Sequence, residues 1–596
     1  MHYHWQETRF EDVLPGIRKE ASAAGTDWLA LAAKYYEETF ARMSMAWSYP
    51  EWLARNPALT ATDIGQRPAP VGYRFEVLLA VDSPDRSMVS RSVAAVEHQV
   101  WGDWCLKMVV SAALSESECA WFEGIVAADD RLSLELCSRP LTEQVEQEVW
   151  RSEADWLVVM EPGDALSPDA FWWVATQAGK QPELPLLYCD EDCLDENGGR
   201  FGPSFRPDWN PDLLLSRNYT GKALWLKPEA IRRGVHRFGA GLHGWRYGVM
   251  LQLGIGAGLS VHHVPRVLFH GRRADTHELE AAEADSTLAH EQWSRAEAGR
   301  QGVEVIKVLG GVRQKYPVPS KPPLVSLLIP TRNGVEILEP CVDAILQRST
   351  YPNFEVLILD NQSDCARTLE YMGNVTERDS RVRVLRWDFP FNYSAINNFG
   401  VTEARGEVIG LINNDIEPIN GDWLDEMVGH VLRPEVGCVG AKLYYPNETI
   451  QHGGVILGIG GVAGHSHKYL QRDAEGYEYR LKLVQNLSAV TGACLLVRKS
   501  VFEEVGGLEE ANLAVAFNDV DFCLKVREAG YRNVWTPFAE AYHHESVSRG
   551  ADDTPEKRDR ANREAAYMKQ RWGQVLMHDP AYNPNLTLIH EDFSLR

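Results

Sequence analysis

Val408-Ile409-Gly410-Leu411-Ile412-Asn413-Asn414-Asp415-Ile416-Glu417-Pro418 is an apolar run that turns abruptly polar and acidic. The residues from Val408 read as a buried strand, and polar groups crowd together where that strand should stop. A carboxylate at a strand end can hold a metal. Mg²⁺ and Mn²⁺ take oxygen ligands, often only one or two protein carboxylates completed by the phosphates of a substrate. Asp415 is the candidate carboxylate, with Asn413 two residues back on the same strand face. An Asx-rich turn closing a strand-to-helix connection accounts for the same residues, since Asn and Asp are common there.

Outward from this stretch, short apolar strands alternate with amphipathic helices, which predicts the α/β class with a largely parallel sheet and sites at the carboxyl ends of strands. Val325 to Ile329 runs into Pro330-Thr331-Arg332-Asn333-Gly334, and Val356 to Leu359 into Asp360-Asn361-Gln362-Ser363-Asp364. Thr, Asn and Asp side chains at two neighbouring strand ends supply the hydrogen bonds that grip a nucleobase and ribose; turn chemistry is the other reading. In Phe391-Asn392-Tyr393-Ser394, Asn392 or Ser394 is read as capping a helix that runs to about Ala404. Phe517-Asn518-Asp519-Val520-Asp521 opens a helix ending at Gly530. A carboxylate in its first turn sits by the positive helix end and stays ionised, whether as a base or only as a helix stabiliser. His543 and His544 adjoin on a strand Ala539 to Tyr542, so their side chains face opposite ways and only one can reach a metal; Ser546 and Ser548 favour His543. Gln451-His452-Gly453-Gly454 is a further polar cluster, assigned nothing beyond sugar contact.

With 596 residues, 44% of them apolar, the chain is expected to form three or four domains rather than one. A formal charge of −24 disfavours nucleic acid and anionic membrane as partners for the surface as a whole. Ten scattered cysteines without a CxxC pair indicate reduced thiols and a cytoplasmic setting. Met1 to Glu7 does not read as a signal peptide, and no run of about 18 apolar residues occurs, so membrane contact is expected to be peripheral at most.

Residues 1–70 read as a small helical element. Residues 71–313 are read as one α/β domain, 314–323 as a stiff Pro-rich linker, and 324–596 as a second α/β domain with a helical tail. The second domain repeats the first: Val77-Leu78-Leu79-Ala80-Val81 corresponds to Leu327-Leu328-Ile329-Pro330-Thr331, and Asp164 falls opposite Asp415. The glycine runs Gly254 to Gly258 and Gly458 to Ala463 mimic dinucleotide fingerprints but are read as loop or packing glycines. Asp190-Glu191-Asp192 is read as a solvated turn.

Pro330-Thr331-x-Asn333, Asp360-Asn361-x-Ser363-Asp364, Asn413-Asn414-Asp415, Thr491-Gly492-Ala493-Cys494, Asn518-Asp519-x-Asp521 and His543-His544-Glu545-Ser546, in this order, resemble an inverting family-2 glycosyltransferase of GT-A fold. The set is similar in particular to bacterial rhamnosyltransferase-like enzymes of surface-polysaccharide assembly. The first copy also resembles the family through Tyr188 to Asp192 and Phe205 to Leu214. The resemblance implies two tandem GT-A-like domains and a divalent cation, Mn²⁺ or Mg²⁺. It implies a dTDP- or UDP-sugar donor and a saccharide, lipid-linked glycan or protein acceptor; a carbohydrate-binding scaffold without turnover is the alternative reading.

Residue by residue, it implies that Asp360 binds the base, with Pro330, Thr331, Asn333, Asn361, Ser363, Asn414, Thr491 and Gly492 on the substrate side. Asp415 becomes the metal end of a DxD-type motif in which Asn413 replaces the first Asp. His543 or His544 adds a metal ligand, Asp519 is the catalytic base, and Asp521 orients base or acceptor. In the first copy Ala80-Val81 stands against Pro330-Thr331 and Trp245-Arg246-Tyr247-Gly248 against the segment holding Asp519. Arginine is no general base at neutral pH, so this copy is expected to be catalytically dead.

Overall fold

In the computed structural model, residues 10–35, 48–111, 114–232, 235–297, 302–544 and 554–596 are described. Glu545, Ser546 and Ser548 lie outside them. The chain divides into two compact units, one formed mainly by residues 302–594 and the other by 47–301.

The strand Val408–Ile412 is buried along its whole length in the middle of the larger unit's sheet. Both faces of that sheet are covered, so the strand is a continuous apolar run rather than an alternation. Each fully buried aliphatic side chain stabilises by about 1.5–3 kcal/mol. Packing is close enough that a Cβ on Gly410 would meet Leu327 Cδ2 at 2.6 Å.

Among the described residues the sheet has ten strands. Its main path runs Val382–Arg386, Phe354–Asp360, Val325–Thr331, Val408–Ile412, Cys494–Arg498, Val436–Tyr444, Arg532–His543 and Ile416–Pro418. The first four are parallel, and Cys494–Arg498 joins antiparallel. From Val325–Thr331 the chain crosses first to one side and later to the other. That arrangement leaves a crevice beyond the carboxyl ends of the strands. Register sets Thr331 beside Asp360. The helices Val335–Arg348 and Ala366–Arg378 pack one face through Leu338, Ile345 and Met372. Tyr393–Glu403, Asn518–Glu528 and the C-terminal Pro555–Met577 cover the other through Ile396, Phe522, Met568 and Trp572.

The smaller unit carries a sheet whose main path is Leu132–Cys137, Trp104–Ser111, Phe75–Val81, Trp156–Met160, Leu224–Leu226, Leu186–Leu194, Val261–Arg272 and Ala165–Leu166. Strand order and direction match the larger sheet position for position. The repeat seen in sequence is therefore a repeat of topology.

Several expected boundaries move. The helical stretch over 1–70 divides: Phe10–Ala24 and Trp28–Tyr35 place Ile17, Leu29 and Ala32 against Tyr445 and Tyr469. Tyr49–Arg55 instead sets Trp52 against Phe205, with ring centroids 5.1 Å apart. The hairpin Glu304–Val308 and Gly311–Lys315, expected to close the first domain, belongs to the larger unit. Arg313 pairs with buried Glu426 at 2.6 Å and lies over Phe538. The Pro-rich stretch is no free linker either. Tyr316 packs on His430, and the Pro323 carbonyl accepts from the Tyr351 hydroxyl at 2.7 Å.

Asp190-Glu191-Asp192 is not a solvated turn but part of the strand Leu186–Leu194, where Asp190 and Asp192 are buried against His263 and His270. Gly254 sits in a helical segment against Trp209, as a packing glycine. Among the described residues no helix is long and apolar enough to cross a membrane, and all ten cysteines are free.

Candidate active site

Past Ile412 the chain turns at once. Asn413 N–H still bonds the Ala493 carbonyl at 2.9 Å, while its own carbonyl accepts from Ile416 N–H at 3.2 Å. Ile416 then pairs with His543 in the antiparallel ladder. This register brings His543 Nε2 to 3.3 Å from Asp415 Oδ1 and 3.3 Å from Asn413 Nδ2. Asp415 is 4% exposed and its Oδ1 makes no hydrogen bond. A buried, unsatisfied carboxylate oxygen is costly unless something positive completes it.

Among the described residues no group of three or more His, Cys, Asp or Glu side chains is gathered to hold a metal. One carboxylate, one imidazole and one amide nevertheless fit a hard divalent ion that takes its remaining oxygens from phosphate and water. His544 faces the other way, with Nε2 3.2 Å from Glu417 Oε2 and the side chain 35% exposed. The structure brings His543 to this cluster and not His544, because adjacent strand residues point to opposite faces.

Asp519 lies in the first turn of Asn518–Glu528, after Phe517 in left-handed conformation at φ 58°. Its carboxylate accepts from Gly492 N–H and from Val520 N–H, both at 2.8 Å. The side of Gly492 facing it is tight: a Cβ there would approach Asp519 Cβ at 3.2 Å and the Tyr393 hydroxyl at 3.5 Å. Tyr393 donates to the Gly492 carbonyl at 3.0 Å and lies 3.4 Å from Asn413 Oδ1. A continuous line of contacts thus runs Asp519, Gly492, Tyr393, Asn413, His543, Asp415.

Tyr393 was missed in the sequence, where its stretch reads as helix capping. Asn392 does cap, accepting from Ala395 N–H at 3.0 Å. Burial and then the Asp519 charge hold the Tyr393 hydroxyl well above its ordinary value, so it stays a donor.

On the other side of the crevice Asn414 Nδ2 donates to Thr331 Oγ1 at 3.0 Å. Asn333 and Ser363 tie two loops together. Asn333 N–H donates to Ser363 Oγ at 2.8 Å, and Asn333 Oδ1 accepts from the N–H groups of Asp364 and Cys365. Asn361 donates to the carbonyls of Trp387 and Phe389, so these amides shape loops rather than stand free. Asp360 is 2% exposed, accepts from Ser363 N–H at 3.0 Å and is ion-paired with Arg386, its partner in the parallel ladder. Arg386 is the second residue the sequence reading missed. Pro330 and Thr331 end their strand beside Leu359 and Asp360, and Thr491 Oγ1 accepts from Ala493 N–H at 3.3 Å.

Asp521 does not belong to the site. It is fully buried, accepts from Trp572 Nε1 at 2.8 Å and meets Arg571 at 3.2 Å. A first-turn residue two positions from Asp519 points away from it on a helix. The same C-terminal helix sends Glu564 to the N–H groups of Val515 and Ala516, bracing the loop ahead of Asp519. His452 is buried behind Thr491, T-shaped on His465 at 4.6 Å. Burial first, then His465 and His543, keep it neutral.

In the smaller unit Ala165 pairs with His270 as Ile416 does with His543, so Asp164 and His270 are the counterparts of Asp415 and His543. Here the carboxylate is satisfied. Asp164 Oδ1 accepts from Arg272 N–H at 3.0 Å and meets Lys222 Nζ at 3.4 Å, while Oδ2 accepts from Glu161 N–H at 3.0 Å. Lys222 follows Gly221 as Ala493 follows Gly492. Arg246 is 2% exposed and pairs with Glu161 at 2.8 Å. His270 turns to Asp192. Two built-in cations, Lys222 and Arg246, stand around Asp164 and Glu161, where the larger unit has Ala493 after Gly492 and His543 beside Asp415.

Residues 326–506 match the family described as Glycosyl transferase family 2. The chain is 41% identical over 536 residues to the uncharacterized protein y4gI of Sinorhizobium fredii, covering 88% of this chain and 59% of that protein. It is 33% identical over 567 residues to the O-antigen biosynthesis protein RfbC of Myxococcus xanthus, covering 92% of this chain and 43% of that protein. The chain therefore spans less than two thirds of the length of either relative. A stretch of 63 residues is 41% identical to an N-acetylglucosaminyl-diphospho-decaprenol L-rhamnosyltransferase of Mycobacterium tuberculosis, over 11% of this chain and 20% of that protein. Among solved structures, the mannosyltransferase PcManGT from Pyrobaculum calidifontis in complex with GDP-Man and Mn²⁺ is similar at a TM-score of 0.33 and 18% identity, over 52% of this chain and 76% of that one.

Proposed function

We propose, from the premise that residues 326–506 form a glycosyl transferase family 2 domain, that the chain transfers a sugar from a nucleoside-diphosphate donor to a saccharide or lipid-linked acceptor with inversion. Rhamnose in cell-surface glycan synthesis is the preferred donor sugar, following the relatives named for O-antigen biosynthesis and rhamnosyl transfer. The observation that carries this reading is the pairing of two carboxylates on one line of contacts. Asp415 has a buried oxygen left unsatisfied, and Asp519 is partly exposed and held by two N–H groups.

The acceptor hydroxyl attacks the anomeric carbon, a new carbon–oxygen bond forms, the bond to the diphosphate breaks, and the hydroxyl proton passes to an Asp519 oxygen. A single displacement of this kind inverts the anomeric centre. Gly492 and Val520 N–H groups fix the carboxylate, and Tyr393 fixes Gly492. Asp415, His543 and Asn413 would hold a divalent cation, which when bound supplies positive charge to the leaving diphosphate. Thr331 and Asn414 line the approach to Asp360, and Arg386 must give way for a base to reach that carboxylate.

The smaller unit performs no transfer in this reading, since Arg246 stands where the base would be and Lys222 where an ion would be. The test is a screen of nucleotide sugars by thermal shift with and without Mn²⁺, followed by donor turnover. A donor that raises the melting temperature only with Mn²⁺, and is turned over, supports the assignment. Donor binding and turnover unaffected by chelation would end the metal part of it.

A further inference from the structure

On the larger unit lies a second cleft of about 450 Å³. It is bounded by the hairpin tip at Leu309, the strand Val436–Tyr444, the segment 471–482 and Phe538. None of Asp415, Asn413, His543 or Asp519 lines it. The volume falls in the range of about 300–1,000 Å³ typical of small-ligand pockets.

The unusual group in its wall is Lys442. It sits in a strand that is otherwise apolar or glycine up to Tyr444, and it is 2% exposed. Its ammonium donates to the Leu481 carbonyl at 3.1 Å, and no carboxylate of the described residues lies within ion-pair distance. Buried lysines are almost always paired, because an ammonium taken out of water needs a counter-ion.

The neighbouring acids are already engaged. Glu540 accepts from the Tyr444 hydroxyl and pairs with Arg472 at 3.5 Å, and Arg472 also takes Glu448 at 2.7 Å. Half-buried Lys482 adds a second cation to the same wall, and Asp473 at its rim is exposed. Burial first, then Lys482 and Arg472, with Glu540 opposing, bring Lys442 down to about 7. A counter-ion arriving in the cleft would restore its proton.

We propose that this cleft is a second saccharide subsite, selective for an acidic sugar whose carboxylate or phosphate pairs with Lys442 and Lys482 while its ring lies against Leu309 and Phe538. Leu309 is 53% exposed, an apolar surface that a sugar ring would cover. Exposed Gln471 supplies a polar partner for ring hydroxyls. Only the word saccharide rests on the glycosyl-transfer reading; the requirement for an anion rests on Lys442.

The test is calorimetric titration of the full chain, without donor, with glucuronate, glucose 1-phosphate and glucose. At least one acidic sugar binds tenfold or more tightly than glucose, and the pair of probes tells carboxylate from phosphate. Lys442→Met removes the preference. Lys482→Ala, at a half-exposed position, weakens it severalfold with an unchanged melting temperature. Affinity falls about tenfold between pH 6 and pH 8, as expected when binding needs a protonated amine with a value near 7. Equal binding of the three sugars, no binding of either acid, or wild-type selectivity in both variants overturns the proposal. Acid binding in a chain that turns over no donor would keep the subsite and remove the transfer reading. Turnover without acid binding would do the reverse.

Discussion

Tyr393 and Asp519 hold opposite ends of one residue: Gly492 donates its N–H to Asp519 at 2.8 Å and accepts the Tyr393 hydroxyl on its carbonyl at 3.0 Å. Tyr393 opens one helix and Asp519 another, 126 positions later in the chain. The carboxylate proposed to take a proton is thus positioned from the same tyrosine that reaches Asn413, next to Asp415 and His543.

Asp519→Asn keeps an acceptor for the Gly492 N–H but removes the base. Turnover should fall by about 10²–10⁴, with donor affinity within a few-fold of wild type. Steady-state kinetics with a fixed acceptor checks this; a loss confined to donor KM would place Asp519 in binding instead.

Asp415→Ala and the corresponding Asp164→Ala should part company. The first abolishes Mn²⁺-dependent binding of the donor and leaves the fold, since the Asp415 Oδ1 it deletes makes no hydrogen bond. The second leaves metal-dependent binding intact but lowers the melting temperature, because it strips Lys222 of one partner and orphans the N–H groups of Arg272 and Glu161. Titration of Mn²⁺ by electron paramagnetic resonance separates the two. Equal loss of activity in both would sink the non-transferring reading of the smaller unit.

Tyr393→Phe deletes a part-buried hydroxyl that donates to the Gly492 carbonyl and reaches Asn413 Oδ1, at a cost of about 0.5–1.5 kcal/mol in stability. Its larger effect should be on kcat, about tenfold, as Gly492 and with it Asp519 lose their brace. The pH–rate profile should also shift, which a purely structural loss would not produce.

Glu426 gives a pH test of the hairpin assignment. Burial pushes its carboxyl up, but His430 and Arg313 outweigh that and hold it at about 2. A depressed carboxylate contributes stability that is fully present above its unfolded value of 4.5 and lost as pH falls toward 2. Arg313→Ala should therefore destabilise at neutral pH, by about 1–3 kcal/mol. It should also shrink the loss of stability seen between those two values. Urea unfolding at a series of pH values shows whether the two curves converge in acid.

Trp572→Phe removes the donor to Asp521 on the C-terminal helix. Asp521 is held above its ordinary value chiefly by burial, so ionising it opposes folding, and stability declines as pH rises through and above 3.8. Without Trp572 that decline should steepen, measurable by thermal melts from pH 3 to pH 6.

Much of this was legible in the chain. Alternating apolar runs predicted the α/β class, and the run from Val408 marked the strand that the sheet centres on. Asp415 and Asp519 stood out because a strand end and a helix first turn are places where a carboxylate meets solvent or a positive dipole. The matching of Asp164 to Asp415 came from the repeat and survives in the register of both sheets. Tyr393 and Arg386 were not legible, since each acts on a partner far along the chain or across a ladder, and nothing local distinguishes them. Asp521 misled because spacing to Asp519 says nothing about which helix face meets Trp572.

The sequence by itself determined the periodicities, the duplication and the residue types at strand ends, since these follow from local geometry and the two-residue or 3.6-residue repeat. Only the tertiary structure set His543 rather than His544 beside Asp415, turned Asp521 inward, moved the hairpin Glu304–Lys315 to the larger unit and placed Lys222 and Arg246 around Asp164 and Glu161 in the smaller unit. The physical reason is that a charge is placed by what satisfies it. The partners of these charges come from segments that meet only once the sheet has closed around them.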